Sequence, residues 1–103
     1  MALTPEQKVQ NKILSYFRQL KSEGKPIFYE KRQAGGFSYK KGLPDIYAVY
    51  NGQHIEIEIK AVNGTRSTMQ EKYAYIFKSI NCRYLCVDNV EDVISYMKKE
   101  FNF

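Results

Sequence analysis

At 103 residues, with 44% hydrophobic and 26% charged positions, the chain has the size and composition of one globular domain, residues 1–103, able to bury a core without staples. Two cysteines, Cys82 and Cys86, are too few for a disulfide framework, and no His or second Cys pair completes a zinc site. Sixteen basic residues against eleven acidic ones leave a net charge of +5, which suits a polyanionic partner. No run approaches transmembrane length and the first residues carry no apolar signal segment, so the expectation is a cytoplasmic protein with no membrane partner.

The first element is a helix. Thr4-Pro5-Glu6-Gln7 supplies an N-cap hydroxyl, Pro at the first helical position and a capping-box Gln. Val9, Ile13, Tyr16, Phe17 and Leu20 then recur at helical spacing, and Glu23-Gly24 followed by Pro26 marks the end. Glu6 lies in the first turn, where a carboxylate complements the helix dipole. Residues 27–31 read as a strand. Residues 33–41 form a glycine- and aromatic-containing loop with Lys31 and Arg32 at one end and Lys40 and Lys41 at the other. Cations and aromatics so placed suit phosphate contacts and stacking on unpaired bases, or else form a solvated polar loop.

Residues 42–60 read as a β-hairpin around Asn51-Gly52. A two-residue turn puts residues whose numbers sum to 103 opposite each other, so Ile46 faces Ile57 and Asp45 faces Glu58. One face reads Ile46, Ala48, Tyr50, Ile55, Ile57, Ile59 and is expected in the core. The other carries Asp45, Glu56, Glu58 and Lys60. Directly opposed carboxylates destabilise a strand pair unless something positive sits between them, and hard divalent cations are bound by such oxygens. Lys60, two residues beyond Glu58, lies about 6.6–6.8 Å along the same face and can hold a water or a phosphate oxygen there. A solvated polar face is the other reading.

Ser67-Thr68-Met69-Gln70 opens a second helix with another capping box, and Met69, Tyr73, Ile76, Phe77 and Ile80 form a stripe expected to pack in the core. Gln70 is either the partner of Ser67 in that box or a polar group aimed at the carboxylates; the two roles are compatible. Residues 83–87 read as a short strand covered on both faces, with Cys86 in the core. Val90, Val93, Ile94, Met97 and Phe101 mark a last amphipathic helix. The expected fold is α/β, in the order α-β-β-β-α-β-α, with helices covering the apolar face of a four-stranded mixed sheet.

Gly42-Leu43-Pro44-Asp45, twelve intervening residues, then Glu58-Ile59-Lys60 resembles the PD-(D/E)XK nuclease signature. Residues 6–13, EQKVQNKI, resemble the opening of the virus-type replication-repair nuclease (VRR-NUC) family, and residues 61–70, AVNGTRSTMQ, resemble that family's turn and helix start. Residues 88–93 are similar to its end, so the likeness runs along essentially the whole chain. It implies a restriction-endonuclease-like core and metal-dependent phosphodiester hydrolysis. Glu6, Asp45, Glu58 and the Ile59 carbonyl would hold Mg²⁺ or Mn²⁺, Lys60 would position the attacking water, and Gln70 would orient substrate or water. No organic cofactor is implied. DNA is the implied substrate, with Lys31, Arg32, Lys40, Lys41 and Arg66 as candidate phosphate contacts. Stand-alone members of the family are phage or bacterial homodimers acting on branched DNA such as four-way (Holliday) junctions. The alternatives are a nuclease without junction preference (nicking, flap or restriction-type) and a non-catalytic DNA-binding domain, which would have little use for inward carboxylates.

Overall fold

The structure is a computed structural model, and it describes residues 2–32, 42–60 and 64–103. Elements run α1 (Pro5–Ser22), β1 (Ile27–Lys31), β2 (Ile46–Tyr50), β3 (Gln53–Ile59), α2 (Thr68–Ser79), β4 (Arg83–Val87) and α3 (Val90–Phe101). The order is the expected one. Both capping boxes form, Thr4 with Gln7 at α1 and Ser67 with Gln70 at α2. The loop at 33–41 and the turn at 61–63, with the expectations placed on Lys40 and Lys41, lie outside the described residues.

The four strands make one sheet in the order β1-β2-β3-β4, antiparallel except for the parallel β3–β4 pair. Asn51 and Gly52 both take positive φ, 48° and 82°, as the tight hairpin turn requires. The resulting register pairs Ile46 with Ile57, Ala48 with Ile55 and Tyr50 with Gln53, as the turn dictates. Ile46, Ala48, Ile55 and Ile57 are wholly buried, together with Ile13 and Phe17 of α1 and Val93 and Met97 of α3. The main core therefore lies between this sheet face and the α1–α3 pair.

Three expectations are corrected here. The helices do not all cover the apolar face: α2, which links the parallel strands β3 and β4, lies on the opposite face, where Phe77 stacks on Tyr84 with ring centroids 6.4 Å apart. Its stripe is accordingly not core. Only Ala74 of α2 is buried, while Met69, Ile76 and Ile80 are exposed, Ile80 by 67%. A short helix over an edge strand has too little sheet beneath it to cover a full apolar stripe. For the same reason β4 is not enclosed on both faces. Cys86, expected in the core, shares the face of Glu58 and is exposed. Among the described residues no helix is long and apolar enough to cross a membrane.

These two environments separate in stability. Ile57→Ala is expected to cost about 2–5 kcal/mol in urea unfolding, and Ile80→Ser less than about 0.5 kcal/mol. A comparable loss at both positions would mean that the α2 stripe is buried after all.

Candidate active site

The sheet face opposite the main core holds the chemistry. Continuing the hairpin register one step past Ile46–Ile57 brings Asp45 beside Glu58. Asp45 Oδ2 accepts the Ile59 backbone N–H at 2.9 Å, which ties the start of β2 to the end of β3. The N–H and C=O of one strand residue point to the same edge, so the Ile59 carbonyl is directed toward the Asp45 turn as well.

Glu58 is only 1% exposed. Its Oε2 accepts from Gln70 Nε2 at 3.1 Å, whereas its buried Oε1 has no hydrogen-bond donor among the described residues. Burial pushes the Glu58 carboxyl up to about 8, reinforced by Asp45, which accepts a hydrogen bond from the protonated form and repels the ionised one, and opposed by Lys60. Loss of solvent and the nearby Asp45 charge both disfavour the ionised form of Glu58, and a cation beside it would offset both.

Lys60 follows β3. Its Nζ donates to the Thr65 carbonyl at 2.5 Å and to Gln70 Oε1 at 3.0 Å. Gln70 Oε1 also accepts the Ser67 backbone N–H at 2.8 Å. Gln70 thus caps α2 and joins Lys60 to Glu58, the two roles being filled by one side chain. Gly42 brings α2 into place. It has φ +94°, and a Cβ built there would lie 2.6 Å from Met69 Cβ and 2.8 Å from the Met69 carbonyl carbon. Only a residue without a side chain lets the 42–45 segment run against the first turn of α2.

Beside Lys60 opens a cleft of about 350 Å³, lined in part by Arg66, Cys86, Asp88 and Asp92. Arg66 Nη1 reaches the Tyr84 hydroxyl at 3.4 Å.

The predicted site residues divide as follows. Asp45, Glu58, Lys60 and Gln70 are brought together, with the Ile59 backbone between them. Glu6 is exposed on the first turn of α1 and acts on Glu58 only as a weak, repulsive charge. Among the described residues no three His, Cys, Asp or Glu side chains gather closely enough to hold a metal ion. Lys31 is exposed at the end of β1. Arg32, expected at a phosphate, is instead paired with Glu56: Nη1 to Oε1 at 2.5 Å and Nη2 to Oε2 at 2.9 Å. Glu56 is 1% exposed and also meets His54 Nε2 at 2.5 Å. The sequence marked Glu56 as a charge on this face but held no signal for its partner 24 positions away. The sequence marked Gly42 only as the first residue of the Gly42-Leu43-Pro44-Asp45 motif.

The donor set at the pair is all oxygen: the two carboxylates and the Ile59 carbonyl. With one buried Glu58 oxygen lacking a donor among the described residues, it fits a hard divalent cation such as Mg²⁺ or Mn²⁺.

In metal-free protein the raised Glu58 carboxyl makes stability depend on pH. Below the ordinary value of 4.5 it is neutral in the folded and unfolded chain alike, and the full contribution is present. Between 4.5 and about 8 the unfolded chain has lost that proton while the folded chain still holds it, so stability falls as pH rises. Calorimetry in EDTA should show Tm dropping across this window in wild type and a flatter profile in Glu58→Gln. Gly42→Ala should lower Tm through the clash with Met69. A Tm unchanged in that variant would mean α2 docks without this close approach.

No protein-family model matches the chain, and no curated protein sequence does. Among solved structures, one described as a "VRR_NUC domain" superposes with a TM-score of 0.73 over 93% of this chain and 97% of that one, at 19% sequence identity. At that identity the likeness is one of architecture: the chain has the fold of a VRR-NUC domain.

Proposed function

We propose that this protein is a metal-dependent endodeoxyribonuclease of the VRR-NUC type, hydrolysing phosphodiester bonds in DNA. The observation that carries the reading is the buried Glu58 carboxylate beside the half-buried Asp45, with one Glu58 oxygen that has no donor among the described residues, joined through Gln70 to Lys60. A purely structural ion pair would be saturated, as Glu56 is. The sequence likeness to PD-(D/E)XK nucleases and the shared VRR-NUC fold support the same conclusion.

Asp45, Glu58 and the Ile59 carbonyl are the residues that would hold Mg²⁺ or Mn²⁺; Glu6 would have to approach from α1 to join them. When bound, the cation supplies Lewis acidity toward a phosphoryl oxygen and lowers the pKa of coordinated water. Lys60 spends two of its three donors on Thr65 and Gln70. Among the described residues this leaves one donor for the attacking water or a phosphate oxygen. Gln70 fixes the ammonium at a set place relative to Glu58, so the cationic group does not swing away when substrate leaves. Arg66, beside the cleft next to Lys60, is a phosphate contact on the neighbouring stretch of strand. The net charge of +5 favours approach of DNA.

The preferred substrate on this reading is branched DNA such as a four-way junction. Symmetric cutting of two strands needs two active sites, which a two-fold homodimer supplies. Both points rest on the family resemblance.

The test is cleavage of labelled four-way junction, flap, duplex and single-stranded DNA in EDTA, Mg²⁺ or Mn²⁺. Paired symmetric cuts in the junction, with metal only, are expected. Equal cutting of all substrates would retain the nuclease and remove the junction preference. Tight binding without cutting would favour a binding domain. Lys60→Ala and Asp45→Ala should each lower the rate by at least about 10²-fold, comparable to removing a group that stabilises transition-state charge. Asp45→Ala should not weaken metal-free DNA binding, because it removes a negative charge. Arg66→Ala should weaken binding to every sequence and reduce the salt slope by about one.

A further inference from the structure

Glu56 is the buried carboxylate of this face that the proposed chemistry does not use. It is held by Arg32 in a two-point pair, and Arg32 makes two further contacts. Nη1 donates to the Pro44 carbonyl at 2.9 Å, and the Arg32 backbone N–H donates to the Asp45 carbonyl at 2.8 Å. These two carbonyls flank the Cα of Asp45. The guanidinium also lies over the Tyr47 ring, 5.0 Å from its centroid, and Tyr47 stacks in parallel on His54.

We propose that Arg32, locked in place by Glu56, is a positioning residue that fixes the Asp45 carboxylate against the end of β3. Both Nη1 hydrogens are spoken for, one by Glu56 and one by Pro44, and the side chain is 22% exposed. The guanidinium is therefore committed inward, in contrast to an arginine that reads phosphate. Its planar fork suits this task. A lysine ammonium can neutralise Glu56 but cannot grip both carboxylate oxygens and the Pro44 carbonyl at once. On the far side, Asp45 Oδ2 is set by the Ile59 N–H. The carboxylate is thus held through its backbone by Arg32 and through one oxygen, Oδ2, by β3. Partners that orient a ligand residue in this way typically matter by 10–100-fold in metal affinity or activity.

The catalytic consequence rests on the nuclease reading; the positioning itself does not. Removing Arg32 alone would strand a buried charge, so the informative variant is the double Arg32→Met/Glu56→Met, which replaces a buried ion pair by apolar groups. Should that protein fail to fold, Arg32→Lys serves instead, since it keeps a cation beside Glu56. Amide hydrogen exchange in EDTA is the first readout. The Ile59 amide should lose protection by about tenfold or more while Ile57, deeper in the same strand, keeps its own. Metal-dependent cleavage should fall about 10–100-fold in kcat with little change in KM, and binding of a labelled duplex in EDTA should stay within about twofold, with the same salt slope. Unchanged Ile59 exchange overturns the proposal. So does a loss of metal-free DNA affinity with a smaller salt slope, which would make Arg32 a phosphate contact. If wild type cleaves no DNA, the nuclease reading fails by itself, and the Ile59 exchange still decides whether Arg32 positions Asp45.

Discussion

The register of the β2–β3 hairpin is the constraint on which the rest depends. It is set by two residues, Asn51 and Gly52, whose positive φ values close a turn that admits one pairing of the strands. Because strand side chains alternate, a slip of one residue would move Glu58 to the core face and Ile57 or Ile59 to the other. The isoleucines cannot accept that, since Ile46, Ile55 and Ile57 are wholly buried against α1 and α3. Core burial on one face therefore enforces the juxtaposition of Asp45 and Glu58 on the other. The site is tied to the most strongly held part of the fold, and it needs no separate folding device to bring its carboxylates together.

The two buried glutamates of β3 show how differently the same side chain is treated two positions apart. Glu56 is saturated: Arg32 grips both its oxygens and His54 meets one of them. Glu58 keeps one oxygen with no donor among the described residues and a carboxyl pushed up to about 8 by its desolvation and by Asp45. An unpartnered buried carboxylate oxygen is a cost that stability alone would remove. Its survival beside a fully paired neighbour is what separates a site from a structural ion pair, and neither composition nor alternation distinguishes the two glutamates.

Local chemistry was readable along the chain; distant partnerships were not. Thr4, Ser67, Asn51 and Gly52 announce caps and a turn because the groups they satisfy lie within a few residues. The opposition of Asp45 and Glu58 was legible because a two-residue loop leaves no freedom in the pairing. The pairing of Arg32 with Glu56 was not legible because the two lie 24 positions apart and meet only through the β1–β2–β3 pairing. The α2 stripe was misread because periodicity reports that a helix has an apolar face, and says nothing of how much sheet is there to cover it. Cys86 was misplaced for the same reason, since an apolar run looks alike in a central strand and at a half-covered edge.

Gln70 shows why sequence signals for structure and for chemistry can overlap without conflict. A capping box accepts Glu or Gln at its third position, because either offers an oxygen to the N-cap N–H. The site does not accept both. Gln70 Oε1 already accepts hydrogen bonds from Ser67 N and Lys60 Nζ, so its amide nitrogen is left facing Glu58 Oε2 and donates to it. A glutamate there would set a third carboxylate against Glu58, whose ionised form burial and Asp45 already disfavour, with no hydrogen to give. The helix requires only an acceptor; the neighbouring carboxylate requires a donor on the same side chain. An amide is the group that offers both, so the identity of residue 70 is decided by the site, and its position by the helix.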